Sequence, residues 1–255
     1  REGLDGRHSG EPPVGNGCRN VLFLVRLPLM KNLIKSESLE IPSELPAMTL
    51  PGVVFFPKAM MPLYIFEKRY RLMIEEILDS HRMFCVAALK ESESDTAEEF
   101  EEVASAGLVR VCRENPDGTS FLLLQGISRV RISGVVREEP YRIVAVEPIQ
   151  SIIEAPLAES RKEIEKLIKE NHQLGGDVTD DMLSFLNPLQ DDEAYVDLVA
   201  FTLCKETMRK QKILETLELS ERAALLLSDI RGENERLSLL KQALGEWPDE
   251  DFDAN

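Results

Sequence analysis

Near Pro156 the hydrophobic pattern of the chain changes its period, from short alternating or continuous apolar runs to stripes recurring every three or four residues. Upstream, Leu45–Leu50, the turn Pro51-Gly52 and Val53–Pro57 read as strand, turn, strand, and Met61–Ile65 continues extended. Phe66, Tyr70, Met73 and Ile77 then form one helical stripe ending near Asp79-Ser80. Met83–Leu89 is a continuous apolar strand. Gly107–Arg113 and Ser120–Gln125 flank Pro116-Asp117-Gly118, whose turn chemistry predicts a hairpin. Ile127–Ile132 and Tyr141–Val146 add further strands. So many short strands with one early helix suggest a closed or nearly closed barrel, which removes exposed edges.

Downstream the reading is helical. Leu157, Ile164, Leu167 and Ile168 mark a helix that stops before Gly175-Gly176. Thr179 is placed to cap a short helix through Leu186, and Asp191 or Asp192 to cap the next, with the stripe Tyr195, Leu198, Val199, Thr202 and Leu203. Met208, Ile213, Leu214 and Leu217 mark a further helix. Ser220 opens a long one containing Ala224, Leu227, Ile230, Leu237 and Leu240. The expected organisation is an α+β chain in four parts. Residues 1–40 form a disordered or loosely packed extension, 41–150 a β-rich barrel, 151–244 a helical bundle and 245–255 an acidic tail. Residues 1–29 read as an upstream extension with Met30 as the expected start. The acidic run Lys90–Glu102 reads as a solvated loop.

Charge argues against several functions. Thirty Lys and Arg stand against 46 Asp and Glu, a net charge of −16. Nucleic acids and anionic membranes both require clustered cations, so neither is an expected partner. The apolar run Val21–Met30 is broken by Arg26 and Pro28 and is too short to span a bilayer. Cys18, Cys85, Cys112 and Cys204 contain no CxxC pair, and His8, His81 and His172 are isolated. Reduced, buried thiols in a cytoplasmic protein are expected, with no metal site and no cofactor.

Several segments resemble a known family when taken in order. They are Leu45–Leu50, Val53–Pro57, and Met60-Met61-Pro62-Leu63-Tyr64-Ile65-Phe66-Glu67 running into Lys68-Arg69-Tyr70-Arg71-Leu72-Met73-Ile74. Gly107-Leu108-Val109, Pro116-Asp117-Gly118, Leu124–Ile132 and Tyr141–Pro148 follow, then Leu198–Phe201 and Lys210–Glu215. Together they resemble the N-terminal substrate-binding domain of Lon-type ATP-dependent proteases across about 41–240. The resemblance implies a PUA-like β-pseudobarrel followed by a C-terminal α-helical bundle. One departure is Lys58, where the family commonly has Gly. A Gly there permits positive φ, so the loop between Pro57 and Pro62 is expected to differ in shape.

The resemblance further implies a non-catalytic, stand-alone module that recognises unfolded or client polypeptides, an adaptor in protein quality control with a Lon-type protease as a second partner. The ATPase and protease parts of such enzymes have no counterpart here. No GxxxxGK[ST] phosphate loop occurs, and Gly175-Gly176 is followed by Asp177. No segment resembles the Ser–Lys protease region, and no GxSxG elbow is present. Two rival functions remain from other classes: an RNA-binding PUA-like module and a peptidase-associated hydrolase.

The candidate contact residues are Phe55, Phe56, Met60, Met61 and Tyr64, dense apolar side chains around a Pro-bounded loop, with adaptable Met among them. They serve equally as barrel filling, although adjacent Met60 and Met61 point to opposite faces of a strand, so one is expected outward. Arg129 and Arg131 share one strand face. They either hold an acidic partner or pair with the Glu91–Glu102 region.

Overall fold

Val103 to Arg137 supplies the spine of the fold. The computed structural model describes residues 39–90 and 99–245. Most of the N-terminal extension, with Cys18, His8 and Met30, lies outside the described residues, as do 91–98 of the acidic run and 246–255 of the tail. The β-strands are β1 (Glu44–Leu50), β2 (Met60–Ile65), β3 (Met83–Ala88), β4 (Val103–Glu114), β5 (Ser120–Arg137) and β6 (Ile143–Ile149). The helices are α1 (Lys68–Leu78), α2 (Ala158–Gln173), α3 (Asp180–Leu186), α4 (Asp192–Leu203), α5 (Thr207–Glu215) and α6 (Leu219–Gly245).

β4 and β5 form the hairpin that Pro116-Asp117-Gly118 predicts. Asp117 accepts hydrogen bonds from the Thr119 amide (3.0 Å) and hydroxyl (2.6 Å), and these hold its carboxyl below the usual range. Gly118 turns the chain at φ 76°. β5 is a single long strand where the sequence suggested two. A register shift against β4 at Ile127, between Gly126 and Ser128, bends it so that the end before the shift pairs with β2 and the end after it with β6.

That bend closes a ring. β4 pairs with β3, β3 lies parallel to β1, β1 pairs with β6, and β6 returns to β5. Alternation sends Leu45, Ala47, Met83, Cys85, Ala87, Ala104, Ala106, Leu108, Val130, Ile132, Val144 and Val146 into one interior cluster. Its many alanines suit so narrow a ring, which large side chains would overfill. The opposite faces of β1, β3 and β4 present Met48, Phe84, Val86, Val103 and Val109 to a second core shared with the helices. α1 buries Tyr70, Met73, Ile74 and Ile77 there.

The helices begin where their caps predict. The Thr179 hydroxyl accepts from the Met182 amide at 3.3 Å, and Asp191 accepts from Glu193 and Ala194 at 3.0 and 3.2 Å. α4 is buried continuously from Ala194 to Phe201, whereas Thr202, expected on its stripe, is exposed. α2 and α6 are neighbours, tied by Asn171 and Asn234 at 2.9 Å. Of the residues expected to face the core, Ala224, Leu240 and Met208 are exposed, and Leu217 lies just beyond α5. Phe66 precedes α1 and is 62% exposed.

Val53–Phe56 forms no strand, contrary to expectation, yet Val54, Phe55 and Phe56 are buried. Tertiary groups replace the ladder. The Ser105 hydroxyl donates to the Phe55 carbonyl at 2.6 Å, and Lys58 N donates to the Gly126 carbonyl at 2.8 Å. Gly126 is required at this approach, because a Cβ there would overlap the Phe56 carbonyl oxygen. Lys58 takes φ 64°, so the loop keeps the left-handed conformation that its side chain disfavours.

Candidate functional site

Burial sorts the sequence candidates. Phe55 and Phe56 lie under α4, where both rings meet Phe201 edge-on at 6.2 and 6.4 Å. Met60 and Met61 are both buried, including the one expected outward, because the row neighbours Gln125 and Leu108 are buried as well. None of these four offers a contact surface. Tyr64 does, at 47% exposure.

Arg129 is buried. It pairs with Asp197 of α4, where an acidic partner or the Glu91–Glu102 region was expected. Its guanidinium grips Asp197 with two bonds of 2.8 and 2.6 Å and donates to the Leu214 carbonyl at 3.0 Å. Arg222 of α6 reaches the same carboxylate at 2.9 Å, and Glu193 lies 3.3 Å from Arg129 and 3.5 Å from Arg222. Two cations and two anions balance in the seam between ring and helices. Burial pulls the Arg222 guanidinium below its ordinary range, and Asp197 opposes that shift. Arg131, two residues on, stays exposed at the surface.

Four exposed apolar residues, Tyr64, Phe66, Val111 and Phe121, gather on or beside an arm made of β2, the start of β5 and the end of β4. Cross-strand register aligns Tyr64, Phe121 and Arg113 in one row, and Pro62, Leu123 and Val111 in the next. The Tyr64 ring lies 4.6 Å from Phe121 and stacks 6.1 Å from Phe66. Tyr64 donates to the Thr119 hydroxyl at 3.2 Å, which ties the aromatic group to the hairpin turn. Phe121 is 56% exposed and Val111 50% exposed. The arm's other face carries Leu63, Leu122 and Cys112, which pack against the shared core. Phe66, Phe121 and Val111 were missed in the sequence. Phe121 begins the run Phe121-Leu122-Leu123-Leu124, whose unbroken apolarity hides the alternation; counting outward from the Gly118 turn would have exposed it.

A second concavity of about 290 Å³ lies among the end of α4, α5 and α6. Its charges satisfy one another. Lys205 meets Asp177 at 3.0 Å and Glu233 at 2.6 Å, Arg236 meets Glu233 at 2.7 Å, and Arg209 meets Asp229 at 3.8 Å. Cys204 borders it with a thiol raised by burial. Among the described residues, no group of three or more His, Cys, Asp or Glu is arranged to hold a metal ion. No described helix is long and apolar enough to cross a membrane.

With ring, seam and arm established, family comparison decides the lineage. Residues 44–231 match the model of the ATP-dependent protease La (LON) substrate-binding domain. The chain belongs to that family. Among curated relatives, Lon protease 2 of Bdellovibrio bacteriovorus is 28% identical over 198 residues, covering 74% of this chain and 24% of the relative. Lon protease 2 of Herpetosiphon aurantiacus is 30% identical over 201 residues, covering 75% and 24%. The chain thus spans about a quarter of the length of these relatives. Among solved structures, the N-terminal domain of Mycobacterium avium complex Lon protease superposes with a TM-score of 0.57 at 16% identity, covering 74% of this chain and 98% of that one. The Lon N-terminal domain protein from Xanthomonas campestris gives 0.52 at 16% identity, covering 81% and 100%. The α+β fold of a Lon N-terminal domain is therefore this chain's fold.

Proposed function

We propose that this LON-family chain is a non-catalytic polypeptide-binding module, a surface on which unfolded or client polypeptides dock. In this reading it acts in the cytoplasm as an adaptor in protein quality control and docks on a Lon-type protease. The observation that carries it is the exposed aromatic group Tyr64, Phe66 and Phe121 on a braced sheet arm. Large aromatic side chains held outward by packing beneath them lose little entropy on contact, and they remove much apolar area from water. Cys85, Cys112 and Cys204 are free thiols, which accords with a cytoplasmic setting. A net charge of −16 argues against RNA as the general ligand.

The experiment is light scattering of a chemically unfolded model protein diluted into buffer with the purified chain. Stoichiometric chain should slow aggregation, and the double variant Tyr64→Ser, Phe121→Ser should lose that effect with an unchanged circular-dichroism spectrum. Equal scattering with the chain and with an inert acidic protein would sink the reading. Casein cleavage by the purified chain alone would replace it with a hydrolase.

A further inference from the structure

The arm that carries the aromatic group also has two strand edges, and they differ. At the β2 edge stands Pro62, which has no N–H to offer a ladder. At the other edge, β3 begins opposite β4 at Met83 and Leu108. Residues 111–114 of β4 therefore pair with β5 on one side and, among the described residues, with no strand on the other. Backbone donors and acceptors along such an edge are a template for an incoming strand.

The side chains beside that edge have a definite character. Val111 is half exposed, and Arg113 continues the row Tyr64–Phe121 to the edge itself. The Arg113 side chain is exposed and makes no hydrogen bond or ion pair among the described residues. Glu114, next to it, belongs to the opposite face of the strand. In a chain with 46 acidic residues, a guanidinium without an ion-pair partner among the described residues, at the end of an exposed aromatic row, is a local reversal of the overall charge.

We propose that the 111–114 edge of β4 takes an extended polypeptide segment as an added strand, and selects one with a carboxylate opposite Arg113 and an apolar side chain two residues away beside Val111. This rests on the polypeptide-binding reading above and narrows it to a substrate class. Strand addition puts the incoming side chain directly opposite Arg113 on the same face, within reach of a charge-assisted bond. A period of two then places every second side chain along the aromatic and aliphatic face. The charge reversal at Arg113 is what favours a carboxylate over an amide or ammonium group at that position.

Fluorescence anisotropy with labelled heptapeptides tests the inference. Three peptides share one alternating Thr and Val background with Leu two residues from a variable position holding Asp, Asn or Lys. The Asp peptide should bind about fivefold tighter than the Asn peptide, the scale of one exposed ion pair. Arg113→Glu should reverse the order in favour of the Lys peptide, and Arg113→Lys should keep it. N-methylation of alternate backbone amides in the Asp peptide should abolish binding. Equal affinity for all three peptides, or indifference to Arg113→Glu, would overturn the selection while leaving polypeptide binding intact. Failure of every peptide, together with failure to slow aggregation, would remove the parent reading as well. Displacement of the Asp peptide by a single-stranded RNA, with the RNA weakened by Arg113→Glu, would reassign the edge to nucleic acid.

Discussion

Arg129 on β5 and Asp197 on α4 meet through two parallel hydrogen bonds of 2.8 and 2.6 Å, with 2% and 0% of their side-chain surfaces exposed. The pair joins the ring to the helices, and Arg222 adds a second cation to the same carboxylate. Water does not reach these charges, so each depends on the others for its solvation.

Asp197→Ala leaves Arg129 and Arg222 with only half-exposed Glu193 to balance them. The expected loss is about 3–5 kcal/mol, typical of breaking a buried pair by removing one partner. Urea unfolding followed by circular dichroism checks this through the midpoint at constant slope. A loss below about 1 kcal/mol would mean that the seam is hydrated and that Asp197 is not its balancing charge.

Lys58 holds φ 64° between two backbone bonds, its own amide to the Gly126 carbonyl at 2.8 Å and the Gly126 amide to the Ala59 carbonyl at 2.9 Å. The left-handed conformation costs a non-glycine residue about 1–2 kcal/mol, and glycine's extra chain entropy returns about 0.5–1 of that. Lys58→Gly should therefore stabilise the protein by about 0.5–1 kcal/mol. Thermal melts compare the two proteins; a lower midpoint in the variant would show that the Lys58 side chain makes a compensating contact.

The strands, the hairpin turn and the helix caps were legible because each is a local pattern. Pro116-Asp117-Gly118, Thr179 and Asp191 act within a few residues of themselves. Val53–Phe56 was misread because its β-type composition is satisfied by distant partners: Phe55 accepts from Ser105, 50 residues away. The fate of Arg129 was equally hidden, since Asp197 is 68 residues on. Leu240 reads as a core residue in the sequence, but α6 has 27 residues against 16 in α2 and outruns its neighbour. Of the candidate contact residues, only Tyr64 and Arg131 prove exposed. Which face of a strand remains open is decided by what packs on the other side, and here that is α1 and the shared core.

Cys85 faces the ring interior and Cys204 the helical core, and burial raises both thiols, Cys85 to about 12. Thiolate is the reactive form, so both should resist iodoacetamide at pH 8 and react fully in denaturant. Cys112 is only half buried and should be labelled ahead of them in the native protein. Peptide mass mapping reads the order; early labelling of Cys85 would mean that the ring opens under native conditions.

Glu233 carries the clearest pH signature. Hydrogen bonds from Arg236, then from Lys205, hold its carboxyl down at about 2, against an ordinary value of 4.5. A carboxylate whose pKa is depressed by folding stabilises the native state above its unfolded pKa, and that stabilisation disappears as pH falls through the folded value. The contribution is thus complete at pH 7, declines below about 4.5 and is lost near 2. Its partners are surface groups: Arg236 is 53% exposed and Lys205 43% exposed. Solvent screening limits the benefit to about 1 kcal/mol, well under what the full shift would imply. Glu233→Gln should be less stable than the parent by about that amount at pH 7, and the gap should close as pH is lowered from 4.5 toward 2. Denaturant midpoints of both proteins across that range give the comparison. A gap that stays constant with pH would show that the variant loses packing and not charge.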